Sequence, residues 1–211
     1  MIFINPLQPV DQVVLGIDPG SRKVGWAVVR ARAGRLERLG SGTLQLDERR
    51  DLPGRLGQLL VAIQQLLEQH PVEVLAIEAA FVHDNPHTAL VLGQARGVPI
   101  ALAAARGMAV FEYPPALVKR TVVGSGRAAK EQMQHLIQVL LGLAELPLED
   151  EADALAVALT HLRRSAVQTQ VPTATALALA GQAPMTPARA AYLKAVESTR
   201  GSGKKTVGSK R

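Results

Sequence analysis

Four acidic residues stand at positions from which they could act together on a substrate. Asp18 ends the apolar segment VVLGID, Glu78 ends the apolar segment VEVLAIE, and Asp150 and Asp153 lie three residues apart in EDEADALAVALTHL. The carboxyl ends of strands are the edge at which open α/β sheets gather ligands, and residues three apart project from one side of a helix. If the four side chains converge, their mutual repulsion requires a divalent cation with oxygen ligands, and Mg²⁺ or Mn²⁺ suits such a site.

The chemistry predicted for such a cluster is metal-dependent phosphoryl transfer. Two ions about 4 Å apart can activate a water and stabilise the leaving oxygen of a phosphodiester. Each acid also has a structural explanation, because Asp18 suits a Pro-Gly turn, Glu78 could cap the next element, and acids in a first helical turn favour the helix dipole. Glu149 and Glu151, which flank the Asp pair, are expected to be solvated. The residues alone leave these alternatives open.

Hydrophobic patterning predicts the elements that must position these residues. VVLGID, KVGWAVVRA and RLERLGSGTLQL predict a three-stranded meander, because their connections are short. Apolar residues from Leu56 to Leu67 recur at helical spacing and predict a helix that begins at Pro53 and ends at His70. VEVLAIE follows this helical crossover, so we expect it to be a parallel neighbour in the same sheet.

The second half of the body alternates helices with one more strand. Helices are predicted after Asn85-Pro86, after Pro114-Pro115, from about Ala128 and from near Asp150, with the strand AVFEY after the first of them. The predicted fold class is therefore α/β, with a mixed five-stranded sheet flanked by helices.

Composition and charge divide the chain into three segments. Residues 1–12 form an N-terminal extension, residues 13–165 a folded domain, and residues 166–211 a flexible basic tail, which is predicted to be disordered. The tail carries seven Lys or Arg against one Glu, which accounts for the whole net charge of +6. A basic tail on a neutral body suggests a polyanionic partner.

Other features restrict the compartment. The chain has no Cys, its N-terminus MIFINPLQPVDQ does not resemble a signal peptide, and the apolar run VPIALAAA is too short to cross a bilayer. We therefore expect a cytoplasmic protein without a membrane partner.

Five blocks of the sequence match one known family. GIDPGS with the following Gly-Trp pair, AIE-x-x-F, LGQARG, VKRTVVGSGRAAKEQMQ and DEADALAVALTH occur in this order. The chain resembles the RuvC family, the bacterial Holliday junction resolvases of ribonuclease H-like fold, over roughly residues 13 to 165. The resemblance implies that Asp18, Glu78, Asp150 and Asp153 are the catalytic metal ligands, with Mg²⁺ or Mn²⁺ as the cofactor.

The resemblance also implies how such an enzyme works. RuvC resolvases act as homodimers in which each subunit nicks one of two strands of like polarity in a four-way DNA junction, and RuvA and RuvB branch-migration proteins are expected partners. Phe81 matches the aromatic residue that inserts at the junction centre, and an apolar ring so close to a catalytic carboxylate could wedge between bases. Without the resemblance, packing of Phe81 in the core beside the strand is the favoured interpretation.

Basic residues supply the predicted DNA contacts. Lys119 and Lys130 match the DNA-binding lysines of the family, and Arg120 and Arg127 belong to the same basic stretch, which also contains Arg96 and Arg106. Arg22 follows Asp18 and could steer the scissile strand. Read without the family, these residues could be an ordinary solvated surface.

Two other functions compete with a resolvase. GIDPGS also resembles the first phosphate loop of the actin and Hsp70 group of ATPases, but the chain has neither their length nor a second phosphate motif. A non-catalytic junction-binding module would be expected to have lost at least one of the four acids, and all four are present.

Overall fold

A computed structural model of the chain describes residues 11–79, 86–125 and 129–168. Five strands and five helices occur in these residues. The strands are β1 (Gln12–Asp18), β2 (Lys23–Arg32), β3 (Arg35–Gln45), β4 (Val74–Glu78) and β5 (Ala109–Tyr113). The helices are α1 (Leu52–Gln69), α2 (Pro86–Ala105), α3 (Pro115–Val123), α4 (Lys130–Leu141) and α5 (Glu149–Gln168). α5 continues three residues beyond the predicted start of the tail at residue 166; the other residues of the predicted tail, and most of the N-terminal extension, lie outside the described ranges.

The strands form one mixed sheet in the order β3-β2-β1-β4-β5, which confirms the predicted fold class. β1, β2 and β3 pair antiparallel, as the predicted meander requires. β4 is parallel to β1, and β5 is parallel to β4. The parallel pairing follows from the crossovers, because a helix between two strands returns the chain in the same direction.

Helix α1 begins where the sequence provides a cap. The side chain of Asp51 accepts a hydrogen bond from the backbone N–H of Gly54 at 3.0 Å, and Pro53 occupies the first turn, where its missing N–H costs nothing. The helix ends at His70, before Pro71. Its predicted apolar face is confirmed, since Leu59, Ile63 and Leu66 are buried.

The sheet has a hydrophobic core on each face. Because side chains alternate along a strand, Val14 faces the core built with α3, α4 and α5, whereas Leu15 faces the core built with α1 and α2. Ala76 of β4 lies on the α5 side and Ile77 on the other. We call the first of these surfaces the α5 face of the sheet. Acidic side chains that point to the α5 face can meet the acids at the start of α5.

Helix α2 differs from the others because it is apolar but largely exposed. Among the described residues it is one helix long and apolar enough to span a membrane by length and composition alone: His87–Ala105 has a mean hydropathy of 1.3 and only 17% of it is buried. The apolar run VPIALAAA, which was expected to be too short to cross a bilayer, is the second half of this longer helix. The length of the run therefore underestimated the length of the apolar helix. Arg96, inside the helix, is paired with Glu112 of β5, and Ala95 and Ala103 pack in the core beside α1. These contacts hold α2 against the sheet.

Candidate active site

Asp18 and Glu78 are neighbours at the end of two parallel strands. Ile17 of β1 is opposite Ile77 of β4, so the next residue of each strand lies beside the other. Strand alternation places both carboxyls on the α5 face, because Gly16 and Ala76, two residues earlier, lie there. Each carboxyl group contributes to the shifted pKa of the other, so the two side chains lie close together. The predicted convergence of these two acids is present in the structure.

Burial and mutual repulsion raise the pKa of both groups. Burial is the largest cause of the rise of the Asp18 pKa to about 8, and the charges of Glu78, Asp153 and Asp150 add to it. The pKa of Glu78 is raised to about 7, again first by burial and then by Asp153, while Lys119 lowers it. Raised pKa values at two adjacent carboxyl groups mark a site with a deficit of positive charge.

Asp150 and Asp153 reach the same place from α5. Glycines on the sheet allow this helix to lie unusually close: a Cβ on Gly25 of β2 would collide with the backbone oxygen of Asp150, and a Cβ on Gly16 would collide with that of Ala154. Gly25 is the register partner of Asp18. The helix start that carries the Asp pair is therefore pressed directly against the strand pair that carries Asp18.

Asp153 shares the electrostatic environment of the other acids. Its pKa is raised by burial, and the charges of Glu149 and Asp150 raise it further, whereas Lys130 and Lys119 lower it. Asp150 and Asp153 both contribute to the raised pKa of Asp18. Each of the four predicted acids thus interacts electrostatically with at least two of the others, and three different elements supply them.

The donor set fits a hard divalent cation. It consists of carboxylate oxygens at a partly buried position, and these are the ligands that Mg²⁺ and Mn²⁺ select. Over residues 11–79, 86–125 and 129–168, no three His, Asp or Glu side chains already surround a single point at which an ion could sit. A cation here would relieve the repulsion between the carboxylates of Asp18 and Glu78, as protonation of either group also would.

Two of the predicted DNA-binding lysines stand beside these acids. Lys119 of α3 is close enough to Glu78 and Asp153 to lower the pKa of both. Lys130, the first residue of α4, lowers the pKa of Asp153 and forms an ion pair with Glu149. The sequence spacing gave no indication of that ion pair.

The other predicted DNA contacts are less closely tied to the acids. Arg120 is exposed on α3. Arg22 forms an exposed ion pair with Glu48, its Nε lying 3.3 Å from Glu48 Oε2. Phe81 and Arg127 lie outside the described residues.

Arg96 and Arg106 do not add to a free basic surface, because each is paired. Arg96 Nη2 lies 2.9 Å from Glu112 Oε2, and Arg106 Nη2 lies 3.7 Å from Glu68 Oε1. Arg96 also donates from Nε to the backbone oxygen of Glu78 at 3.2 Å. It therefore supports the end of β4 instead of facing solvent.

Two further supports were not predicted from the sequence. Arg55 of α1 donates from Nη1 to the backbone oxygen of Ser21 at 2.8 Å, which holds the turn after Asp18. The prediction that Glu151 is solvated is wrong. Its side chain is only 13% exposed and accepts a hydrogen bond from Ser41 of β3. A Glu at the third position of a helix is a known capping signal, and this was the signal available in the sequence.

Comparison with known proteins identifies relatives of the chain. The family described as "Crossover junction endodeoxyribonuclease RuvC" matches residues 14–161. A protein of that name from Vibrio vulnificus (strain YJ016) is 43% identical over 171 residues, which are 81% of this chain and 94% of the relative. A protein of the same name from Actinobacillus succinogenes is 46% identical over 149 residues, 71% of this chain and 78% of the relative.

Solved structures give the same result. The structure described as Thermus thermophilus RuvC in complex with Holliday junction substrate is 31% identical, covers 75% of this chain and 97% of its own, and has a TM-score of 0.70. The yeast mitochondrial Holliday junction resolvase, at 16% identity and a TM-score of 0.58, covers 79% of this chain and 84% of its own and shares the fold.

Proposed function

The chain belongs to the RuvC family of crossover junction endodeoxyribonucleases, and we propose that Asp18, Glu78, Asp150 and Asp153 are its catalytic centre. It is a metal-dependent nuclease that hydrolyses phosphodiester bonds and resolves four-way (Holliday) DNA junctions in recombination and repair. The observation that carries the assignment of the centre is the meeting of four acids from β1, β4 and α5 on one face of the sheet, with the pKa of Asp18 raised to about 8. Stability alone would not select this arrangement, because it concentrates like charges.

The four carboxylates would hold the cofactor. We propose Mg²⁺ or Mn²⁺, two ions per site, because only oxygen donors converge there. When bound, such ions supply activation of the attacking water and stabilisation of the leaving oxygen of the phosphodiester. The acids would keep the ions in place, and the apolar surroundings that raise the pKa values of these acids would also limit the access of bulk water.

Basic residues around the acids would bind the DNA backbone. Lys119 and Lys130 stand next to the carboxylates, so a phosphate bound by them would lie beside the catalytic centre. We assign Arg22 and Arg120 to phosphates farther along the strand. Arg127, which lies outside the described residues, is also proposed to bind a backbone phosphate. Phe81 is proposed to insert between bases at the junction centre.

The exposed surface of α2 supports a homodimer. Leu90 is 63% exposed, and Gly93, Gly97, Ala101 and Ala104 are exposed on the same side of the helix, at the spacing of three or four residues that defines one face. A Cβ on Gly93 or Gly97 would meet nothing within 4 Å, so a second helix could approach closely there. Two active sites joined across α2 would place one nick in each of two strands of like polarity.

The dimer proposal has a direct test. Gly97→Glu should put a charge at the centre of this surface and yield a monomer in sedimentation experiments, while Gly57→Glu on the exposed side of α1 should leave the dimer intact. A Gly97→Glu protein that remains dimeric would place the interface elsewhere.

Two further expectations complete the proposal. Branch-migration proteins of the RuvA and RuvB kind are proposed partners, and the cytoplasm is the proposed compartment. The basic tail would add DNA affinity that weakens as the salt concentration rises.

The experiment that tests the catalytic assignment uses a labelled four-way junction and a linear duplex of the same sequence, each with Mg²⁺, with Mn²⁺ and with neither. Wild type should nick the junction symmetrically and only with metal. Asp18→Asn should bind the junction but cut at least about a thousandfold more slowly, since it removes one ligand of the proposed site. Asp11→Asn, the same chemical change at an acid whose side chain is 66% exposed, is the matched control and should cut as wild type does.

Other results would favour the competing functions. Tight junction binding without cutting under any metal would favour a non-catalytic junction-binding module. Hydrolysis of ATP that is lost in Asp18→Asn, without cutting of DNA, would favour an ATPase of the actin and Hsp70 group. Normal cutting by Asp18→Asn would exclude Asp18 from the centre.

A further inference from the structure

Glu151 connects the first turn of α5 to the sheet. Its Oε1 accepts a hydrogen bond of 2.5 Å from Ser41 Oγ of β3, and Arg38 Nη1 lies 3.6 Å from the same oxygen. Arg38 Nη1 also donates to Ser41 Oγ at 3.2 Å. Ser41 pairs with Ala27, which belongs to the core on the α5 face, so the serine projects towards the helix. Three side chains thus form one polar contact between an edge strand and α5.

The other oxygen of the same carboxylate closes the start of the helix. Glu151 Oε2 accepts a hydrogen bond of 3.3 Å from the backbone N–H of Leu148, the residue before α5. Leu148 in turn accepts from Ala152 at 2.8 Å through its backbone oxygen. The side chain of Glu151 therefore caps the N-terminus of α5 and attaches this first turn to β3.

This attachment lies on a different side of the helix from the proposed metal ligands. Successive helical residues are rotated by about 100°, so Glu151 points away from the direction of Asp150 and Asp153. The collision that a Cβ on Gly25 would cause shows that Asp150 is pressed against β2. The first turn of α5 is consequently held on the β2 side by backbone packing and on the β3 side by Glu151.

We propose that Glu151, together with Ser41 and Arg38, is a positioning residue that fixes Asp150 and Asp153 relative to Asp18 and Glu78. The inference rests on the proposed function of the four acids and extends it to a residue outside them. The physical reason is repulsion: acids at the start of α5 are pushed away from the acids of the sheet, and an attachment at the same turn resists that movement. The guanidinium of Arg38 offsets the charge of Glu151, so the attachment adds little to the repulsion.

The hydrogen bonds contribute more than the ion pair. Arg38 is 43% exposed, and a partly exposed ion pair at 3.6 Å contributes little to stability. Glu151 is mostly buried and uses both oxygens, so its removal leaves the Leu148 N–H and the Ser41 hydroxyl without this acceptor. Glu151→Gln keeps one acceptor oxygen and can retain one of the two hydrogen bonds.

The test compares Glu151→Ala, Glu151→Gln and Ser41→Ala in the full-length protein. Glu145→Ala is the matched control, because it removes one exposed acid from the loop before α5. Three quantities are measured for each: the rate of junction cutting against Mn²⁺ concentration, the rise of the melting temperature with Mn²⁺, and junction binding without metal.

Glu151→Ala should need about tenfold more Mn²⁺ for half its maximal rate and for half its thermal shift, the effect typical of losing a residue that orients metal ligands. Glu151→Gln should recover part of this loss, Ser41→Ala should show a smaller loss, and Glu145→Ala should match wild type. Junction binding without metal should change less than about twofold, because the basic residues are untouched.

Three outcomes separate the possible failures. A lower melting temperature with an unchanged Mn²⁺ requirement would mean that Glu151 only stabilises the fold, and would overturn the inference. If Glu151→Ala does not fold, an unchanged Mn²⁺ requirement in Glu151→Gln and Ser41→Ala would overturn it equally. Wild-type cutting by Asp150→Asn and Asp153→Asn would instead overturn the proposed function itself.

Discussion

The Asp18 carboxyl group should make the metal-free wild-type protein less stable than the Asp18→Asn variant, and this difference in the free energy of unfolding should grow with pH. Asp18 has a pKa of about 8 in the folded protein against 3.8 for an ordinary Asp. The folded state therefore binds more protons than the unfolded state between these two pH values, so the free energy of unfolding falls as pH rises through that interval. Below about pH 4 both states are protonated and the penalty is absent.

The magnitude follows from the difference in pKa. At about 1.4 kcal/mol per pKa unit, the full difference would be close to 6 kcal/mol. Asp18 and Glu78 titrate as a coupled pair, however, so protonation of either relieves part of the penalty, and we expect Asp18→Asn to gain about 2 to 3 kcal/mol at pH 8. For a chain of this size that gain corresponds to a rise in melting temperature of about 5 to 10 °C.

The assay is thermal unfolding of wild type, Asp18→Asn and the control Asp11→Asn in EDTA, from pH 4 to pH 8.5. The curves of wild type and Asp18→Asn should diverge with rising pH, and Asp11→Asn should follow wild type. Addition of Mn²⁺ should stabilise wild type by about 3 kcal/mol at a hundred times its dissociation constant, and Asp18→Asn by less. Parallel curves for wild type and Asp18→Asn across the whole range would refute the reasoning.

Three other predictions test the supports of the site. Gly25→Ala should destabilise the protein by about 2 to 3 kcal/mol in urea unfolding and abolish cutting, because its Cβ would displace α5, whereas Gly57→Ala, at an open position of α1, should be neutral or slightly stabilising. Arg96→Gln should lower the cutting rate about tenfold at saturating metal with junction binding unchanged, because it releases the end of β4. His161 is 3% exposed, and burial lowers its pKa to about 4. The double variant Asp18→Asn, Glu78→Gln lacks the two carboxyl titrations that act in the opposite direction over this range, so its urea unfolding should show about 2 kcal/mol lost between pH 7 and pH 5. Unchanged stability of the double variant over that range would contradict the lowered pKa of His161.

Periodicity explains how much of the fold was predictable. The continuous apolar runs of β1 and β4 and the helical spacing in α1 and α5 are local features of the sequence, so the order of elements and the parallel pairing of β4 followed from them. Within each strand the side chains alternate between the two faces of the sheet. The same alternation places Asp18 and Glu78 on one face of the sheet. The meeting of the acids was therefore predictable in outline from strand ends and helix spacing.

The remaining features depend on pairings between distant segments. Ser41 meets Glu151 across 110 residues, and no local pattern indicates that a solvated-looking Glu is opposite that serine. The pairing of Arg96 with Glu112 depends in the same way on where α2 crosses β5. The apolar length of α2 was underestimated because Gln94 and Arg96 interrupt the apolar run in the sequence without ending the helix.

The glycines of β1 and β2 explain how repelling acids are held together. Gly16 and Gly25 allow α5 to approach the sheet backbone to backbone, and its apolar residues from Ala152 to Leu162 are buried in that contact. Burial of so many apolar side chains on one helix contributes well over the few kcal/mol by which the acids repel one another. The same burial excludes water from the carboxylates and raises their pKa values, so it both opposes their repulsion and increases their need for a cation. The proposed catalytic centre and the core beneath α5 are for this reason one structure, and a substitution such as Gly25→Ala should impair both together.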